Sequence, residues 1–253
     1  MQLNEDETLD GIGSGAIRII QKKNGYRFSL DAILLASFVT VDGRVRVLDI
    51  GTGSGVILLI LLSRKATLAG VGVEIQPQLA EMASRNLVLN NMQERAYIVN
   101  QDIGTFTERV AGKECFDLIC FNPPYRLLGS GKINQSEEKA IARHEQRGSL
   151  SAFLLASRSL INPRGEIYFI YPASRFNDVL GAIKQAGMYS KAMVFVHSHQ
   201  NSVAELVLWK VSQATQKRAQ ILPPIFLYAD AKGRETEQMR ELVNSIVPAS
   251  GDE

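Results

Sequence analysis

The run Asp49-Ile50-Gly51-Thr52-Gly53-Ser54-Gly55 constrains the fold of this chain more than any other feature. An apolar stretch, residues 45–50, leads into it, and a second, residues 56–63, leaves it. Glycines spaced in this way let a strand turn tightly into a helix and let the backbone approach a ligand at the carboxyl end of a sheet. The rhythm continues with a strand pattern at 69–73, a helix at 78–90 and a strand at 96–100. Such alternation predicts a parallel sheet covered on both faces. Leu79, Met82, Ala83 and Leu87 share one face of the second helix, which marks that face as core packing.

Further elements extend the sheet: a strand at 117–121, a helix at 150–160, a strand at 166–171 and a helix at 174–186 stopped by Gly187. Strands near 191–196 and 203–211 leave no room for a crossover helix, so they should pair antiparallel. Upstream, Asn24-Gly25 sits between residues 17–21 and 26–29 and reads as the type I′ turn of a hairpin, with a helix starting near Ser29. Gly11-Ile12-Gly13-Ser14-Gly15 follows no apolar strand and reads as a turn. The expected organisation is one domain over 1–253. Residues 1–44 form a hairpin and helix element, 45–212 the core, and 213–253 an appendage broken by Pro223-Pro224 with a short polar helix at 236–246.

Hydrophobic residues make up 45% of the chain and charged residues 21%, enough for a packed core and too apolar for disorder. No apolar run approaches the ~18 residues needed to span a bilayer, and the acidic start is unlike a signal peptide, so a cytoplasmic protein is expected. Cys115 and Cys120 read as reduced thiols, with no zinc or other metal site and no disulfide. His197 and His199 have no cysteine or carboxylate partners at ligand spacing. Lysine and arginine number 28 against 26 acidic residues, a balance that neither requires nor excludes a nucleic-acid partner.

The glycine run departs from a dinucleotide site. That pattern needs a third glycine where Val56 stands, and Asp49 would repel a phosphate. Glu74 ends the second strand, 23 residues after Gly51, where a carboxylate can accept both hydroxyl hydrogen bonds of a ribose. The whole run resembles the first motif of class I methyltransferases. There Gly51, Gly53 and Gly55 would lie against the amino-acid part of S-adenosylmethionine, and Asp49 would face its cationic end. Asp102, after the third strand, resembles the residue that takes the adenine amino group. The fold this implies is Rossmann-like, α/β, with a mostly parallel seven-stranded sheet whose last strand is antiparallel, plus the short amino-terminal element.

Asn122-Pro123-Pro124-Tyr125 carries the sharpest chemical signal. The exocyclic nitrogen of adenine, like an amide nitrogen, delocalises its lone pair and is a weak nucleophile. If the Asn122 side-chain oxygen and the Pro123 carbonyl each accept one N–H, the lone pair can turn toward a methyl sulfonium as charge develops. Tyr125 would stack on the planar group, delivered from a loop or flipped from a helix. Residues 126–148 show no clear period and form a loop long enough to be functional.

Together, the run from Gln21 through Asp31 to Leu35, the glycine motif, Asn122 to Tyr125, and Ala142-Arg143-His144-Glu145 resemble the bacterial tRNA methyltransferases that modify adenine N6 at position 37 of valine tRNA. The resemblance spans roughly residues 8–240 and implies S-adenosylmethionine as donor and tRNA as partner. It also implies that Asp31 closes over the methionine end of the cofactor together with Asn122. Lys22, Lys23 and Arg27 of the hairpin and Arg126, Lys132, Arg143 and Arg147 of the loop are the candidate phosphate contacts. The same tetrapeptide also serves enzymes that methylate a glutamine amide in release factors and DNA adenine methyltransferases, and variants of it with other aromatics serve N2-guanine ribosomal RNA methyltransferases. Only about 45 residues precede the glycine motif, too few for the helical amino-terminal domain expected of the release-factor enzymes.

Overall fold

Two packed layers of helices on a twisted sheet follow from the alternation of apolar strands with amphipathic helices. The computed structural model describes residues 3–13, 15–24, 27–113, 115–123, 149–215, 218–230 and 233–246. In chain order the elements begin β1 (Glu7–Ile12), β2 (Ile17–Lys22), α1 (Leu30–Phe38), β3 (Arg46–Ile50), α2 (Val56–Arg64), β4 (Ala69–Glu74), α3 (Pro77–Leu89), β5 (Ala96–Asn100) and α4 (Ile103–Val110). They continue with β6 (Phe116–Phe121), α5 (Leu150–Leu160), β7 (Ile161–Pro172), a 3₁₀ turn (Ala173–Arg175), α6 (Phe176–Gln185), β8 (Tyr189–His197) and β9 (Ala204–Ser212). Two short strands, β10 (Gln220–Ile221) and β11 (Ile225–Phe226), precede α7 (Glu237–Ser245).

The main sheet runs in the order β10-β8-β9-β7-β6-β3-β4-β5, with β11 also on β8. The pairs among β3, β4, β5, β6 and β7 are parallel, and β9 is antiparallel to both β7 and β8. The seven expected strands are therefore present, including the reversed last one. Helix α2 buries every residue from Val56 to Leu62 because it is wedged between the sheet and α1. One core cluster joins α1 and α2 to Leu118, Cys120, Tyr168 and Leu208, and the other joins α4, α5 and α6 to Phe121, Phe169 and Trp209 on the opposite face.

Two expectations are corrected. The hairpin is not made across Asn24-Gly25: β2 pairs antiparallel with β1, in register from Glu7↔Lys22 to Ile12↔Ile17. Residues 27–29 form no strand, and Gly25 and Tyr26 lie outside the described residues. The turn falls in the glycine run, where Gly13 and Gly15 take φ of 58° and 86° and Ala16 N–H donates to the Gly13 carbonyl. Strand β1 is hidden in sequence because its inward face carries a glutamate: Glu7 is buried against Arg85, whose guanidinium meets it at two points, 2.8 and 2.9 Å. The segment after residue 212 is also more than an appendage. Its strands β10 and β11 pair parallel with β8, and Ile225, Leu227, Met239 and Ile246 are buried in the main core. Pro223-Pro224 separates the two short strands without ending the pairing.

Candidate active site

Parallel register brings four segments to one sheet edge. Ile50 is level with Val73 and Phe121, and Glu74 is level with Asn100. The glycine loop after β3, Glu74 at the end of β4, Asp102 just past β5 and Asn122 directly after β6 therefore share the carboxyl edge. This is the edge where open α/β sheets take their ligands.

The loop is held from below. The Gly51 and Thr52 N–H groups both donate to the Val73 carbonyl, at 2.8 and 3.1 Å. Gly53 N–H donates to Glu74 Oε2 and Gln76 N–H to Glu74 Oε1, each at 2.9 Å, so one carboxylate fixes the turns that follow β3 and β4. Gly55 closes the loop at φ 87°, with its α-carbon so near α3 that an added Cβ would stand 3.4 Å from the Ala83 Cβ. On β4, an added Cβ at Gly72 would lie 2.9 Å from the Thr52 methyl, which is why the loop can rest on that strand.

Asp49 has no exposed surface. Its carboxylate accepts from the Thr52 hydroxyl at 2.6 Å and from the Cys120 thiol at 3.7 Å. Burial pushes its pKa up to about 6 against the pull of those hydrogen bonds, and the nearby Glu74 carboxylate pushes the same way. The Cys120 thiol is pushed up by burial and by Asp49. A raised folded-state pKa favours the protonated form in the native protein. The stability it confers is complete below the unfolded value near 3.8 and is lost as pH rises through about 6. From pH 5 to pH 7.5, wild type is expected to lose about 1 to 2 kcal/mol of unfolding free energy relative to Asp49→Asn. Chemical denaturation of both proteins at the two pH values checks this; parallel pH profiles would contradict it.

Asp102 caps α4, its Oδ1 accepting from Gly104 and Thr105 N–H at 3.0 and 3.3 Å. That helix was not legible in the apolar spacing. Asn122 is half-buried and Pro123 buried at the end of β6. The residue before them is fixed by aromatic packing: Phe121 stacks on Phe169 at 5.0 Å, Phe169 on Trp209 at 6.1 Å, and Phe153 and Phe121 meet edge-on at 5.4 Å. Asp31 is half-buried in the first turn of α1, the helix packed on α2. The hairpin cations are already engaged: Lys22 pairs with Asp6, Lys23 Nζ donates to the Glu5 carbonyl at 2.6 Å, and Arg27 pairs with Asp10 at 2.9 Å. Tyr125, Arg126, Lys132, Arg143, His144 and Arg147 lie outside the described residues. His197 sits 2.8 Å from the Ser202 carbonyl in the β8–β9 turn, a structural contact. Reading the sequence missed Asn86, a buried asparagine of α3 that donates to the Ser54 carbonyl; a polar residue inside the helix's apolar stripe was the available signal.

Among the described residues no helix is long and apolar enough to cross a membrane. Residues 28–172 match the methyltransferase small domain family. Similar proteins include tRNA1(Val) (adenine(37)-N6)-methyltransferases of Tolumonas auensis, 28% identical over 77% of this chain and 80% of that protein. That of Vibrio vulnificus is 29% identical over 78% and 80%, and that of Porphyromonas gingivalis 32% over 60% and 61%. Among solved structures, a predicted O-methyltransferase of Agrobacterium tumefaciens superposes with a TM-score of 0.67 at 19% identity, covering 86% of this chain and 97% of that one. A ribosomal protein L11 methylase of Lactobacillus delbrueckii subsp. bulgaricus gives 0.52 at 16% identity, covering 76% and 81%. The family match covers more than half of the chain and contains both the glycine loop and the Asn-Pro pair at neighbouring strand ends, so the chain belongs to the methyltransferase small domain family.

Proposed function

We propose that this protein transfers a methyl group from S-adenosylmethionine to the exocyclic N6 of an adenine in tRNA, at position 37, as one domain over residues 1–253 acting in the cytoplasm. The observation that carries the reading is the pairing of Ile50 with Phe121, which sets the glycine loop and Asn122 side by side. The names of the relatives support the substrate.

The residues present fit S-adenosylmethionine. The positive-φ Gly51, Gly53 and Gly55 offer bare backbone while the intervening Thr52 and Ser54 are buried, and Glu74 and Asp102 stand at successive strand ends. Gly51, Gly53 and Gly55, with Asp31 and Asn122, would hold the methionine end, Glu74 the ribose and Asp102 the adenine. Asp49 would act by bracing Thr52 within the loop. When bound, the cofactor supplies an electrophilic methyl group. The Asn122 side-chain oxygen and the Pro123 carbonyl would accept the two N–H groups of the target amine and free its lone pair, while Tyr125 stacks on the base. Methylation of a release-factor glutamine amide or of guanine N2 in ribosomal RNA is the alternative use of the same groups. Labelled S-adenosylmethionine incubated with separate pools of tRNA, ribosomal RNA, DNA and release factors tests the class. Label is expected in tRNA, and label confined to protein would replace this reading with the amide one.

For RNA contact, Arg126, Lys132, Arg143 and Arg147 are the main candidates. Lys22, Lys23 and Arg27 would have to exchange their present acceptors for phosphate, an exchange that exposed ion pairs permit at little cost. Changing Lys22, Lys23 and Arg147 to glutamate is expected to lower tRNA affinity and flatten its dependence on salt, with S-adenosylmethionine affinity unchanged. Filter binding across a salt series checks it. Normal tRNA binding by the variant would show that the RNA face lies elsewhere.

A further inference from the structure

The amino-terminal hairpin forms its own two-stranded sheet, and α3 ties it down. Asn86 and Asn90, four apart and so on one helix face, treat β2 as a neighbouring strand would. Asn86 Oδ1 accepts from Ile20 N–H at 2.7 Å and its Nδ2 donates to the Ile20 carbonyl at 3.1 Å. Asn90 does the same for Arg18, at 2.9 and 2.7 Å. Their second donors differ: Asn90 Nδ2 also donates within α3, to the Asn86 carbonyl at 2.8 Å, whereas Asn86 Nδ2 donates to the Ser54 carbonyl of the glycine loop at 2.9 Å. Asn86 has no exposed surface. Ser54 stands between Gly53, whose N–H is held by Glu74, and the positive-φ Gly55.

We propose that Asn86 is a positioning residue for the cofactor loop, locking residues 53–55 to the hairpin so that the hairpin's seat and the cofactor's cradle are set together. The inference rests on the reading of the glycine loop as that cradle. Its physical basis is that one neutral amide satisfies three buried backbone groups from segments far apart in sequence. Removing it leaves the Ser54 carbonyl without that donor and lets a loop of glycines wander.

Calorimetric titration of S-adenosylmethionine into wild type, Asn86→Ala and Asn90→Ala tests it. Both variants lose hairpin bonds and should melt at lower temperature. Only Asn86→Ala is expected to bind more weakly, by about ten-fold, with Asn90→Ala within roughly two-fold of wild type. Asn86→Asp is the second variant. Its carboxylate still accepts from Ile20 but has no donor for Ser54 until it is protonated, so its deficit against wild type should narrow between about pH 8 and pH 5.5. Equal affinity in wild type and Asn86→Ala, or equal losses in the two alanine variants, overturns the proposal. If Asn86→Ala does not fold, a deficit in Asn86→Asp that ignores pH does so. A wild type that takes up no S-adenosylmethionine is a different failure, since it removes the cofactor reading itself.

Discussion

Asn122→Ala is expected to lower turnover by ~100-fold or more, a barrier increase of ~3 to 4 kcal/mol, while S-adenosylmethionine affinity falls by no more than about ten-fold because the glycine loop and Asp31 still hold the methionine end. The acceptor at Asn122 is used most strongly as positive charge builds on the substrate nitrogen, so its loss weighs more on the transition state than on the ground state. The alanine should not loosen the surrounding fold, because the strand end rests on the Phe121, Phe169 and Trp209 stack and on buried Pro123. Single-turnover kinetics with saturating tRNA, beside calorimetry of cofactor binding, separates the two effects. Near-normal turnover at saturation would show that the lone pair is freed by other groups.

Glu74→Ala should produce the opposite split. Its carboxylate would hold the ribose hydroxyls, and it already accepts the Gly53 and Gln76 N–H groups that shape both flanking turns. Alanine removes the ligand's acceptor and the brace on the loop together, so S-adenosylmethionine affinity is expected to fall by ~1.5 to 3 kcal/mol, or roughly 10- to 150-fold. Glu74→Gln should fall between, since an amide offers only one oxygen and turns an NH₂ toward one of the two N–H donors. Calorimetry on the folded variants measures this. Unchanged affinity in both would move the ribose site away from β4.

Much of this architecture was readable because period and punctuation agreed. The β3–α2–β4–α3–β5 alternation, the reversed β9 and the Ser29 start of α1 follow from apolar spacing and glycine placement. What escaped is held by features that apolar spacing does not show: a buried ion pair, a helix cap and edge pairing of short strands. Strand β1 looked unlike a strand because one of its two buried residues is a glutamate whose partner, Arg85, lies 78 residues away. Helix α4 depends on its Asp102 cap and a short stripe of Ile103, Phe106 and Val110. The carboxyl-terminal segment is anchored by edge pairing to β8, which local sequence does not encode. In the site, the motif acids could be placed at their strand ends. Which of them turns inward could not, since Asp49 is committed to Thr52 and Cys120 and Asp102 to a helix cap.

The most direct test of the central claim is nucleoside analysis of unmodified valine tRNA after incubation with the wild-type protein and S-adenosylmethionine. The expected result is N6-methyladenosine at the base 3′ of the anticodon, made by wild type and reduced at least ~100-fold with Asn122→Ala. Methyl on guanine N2, or on a release-factor glutamine with none in tRNA, would contradict the account.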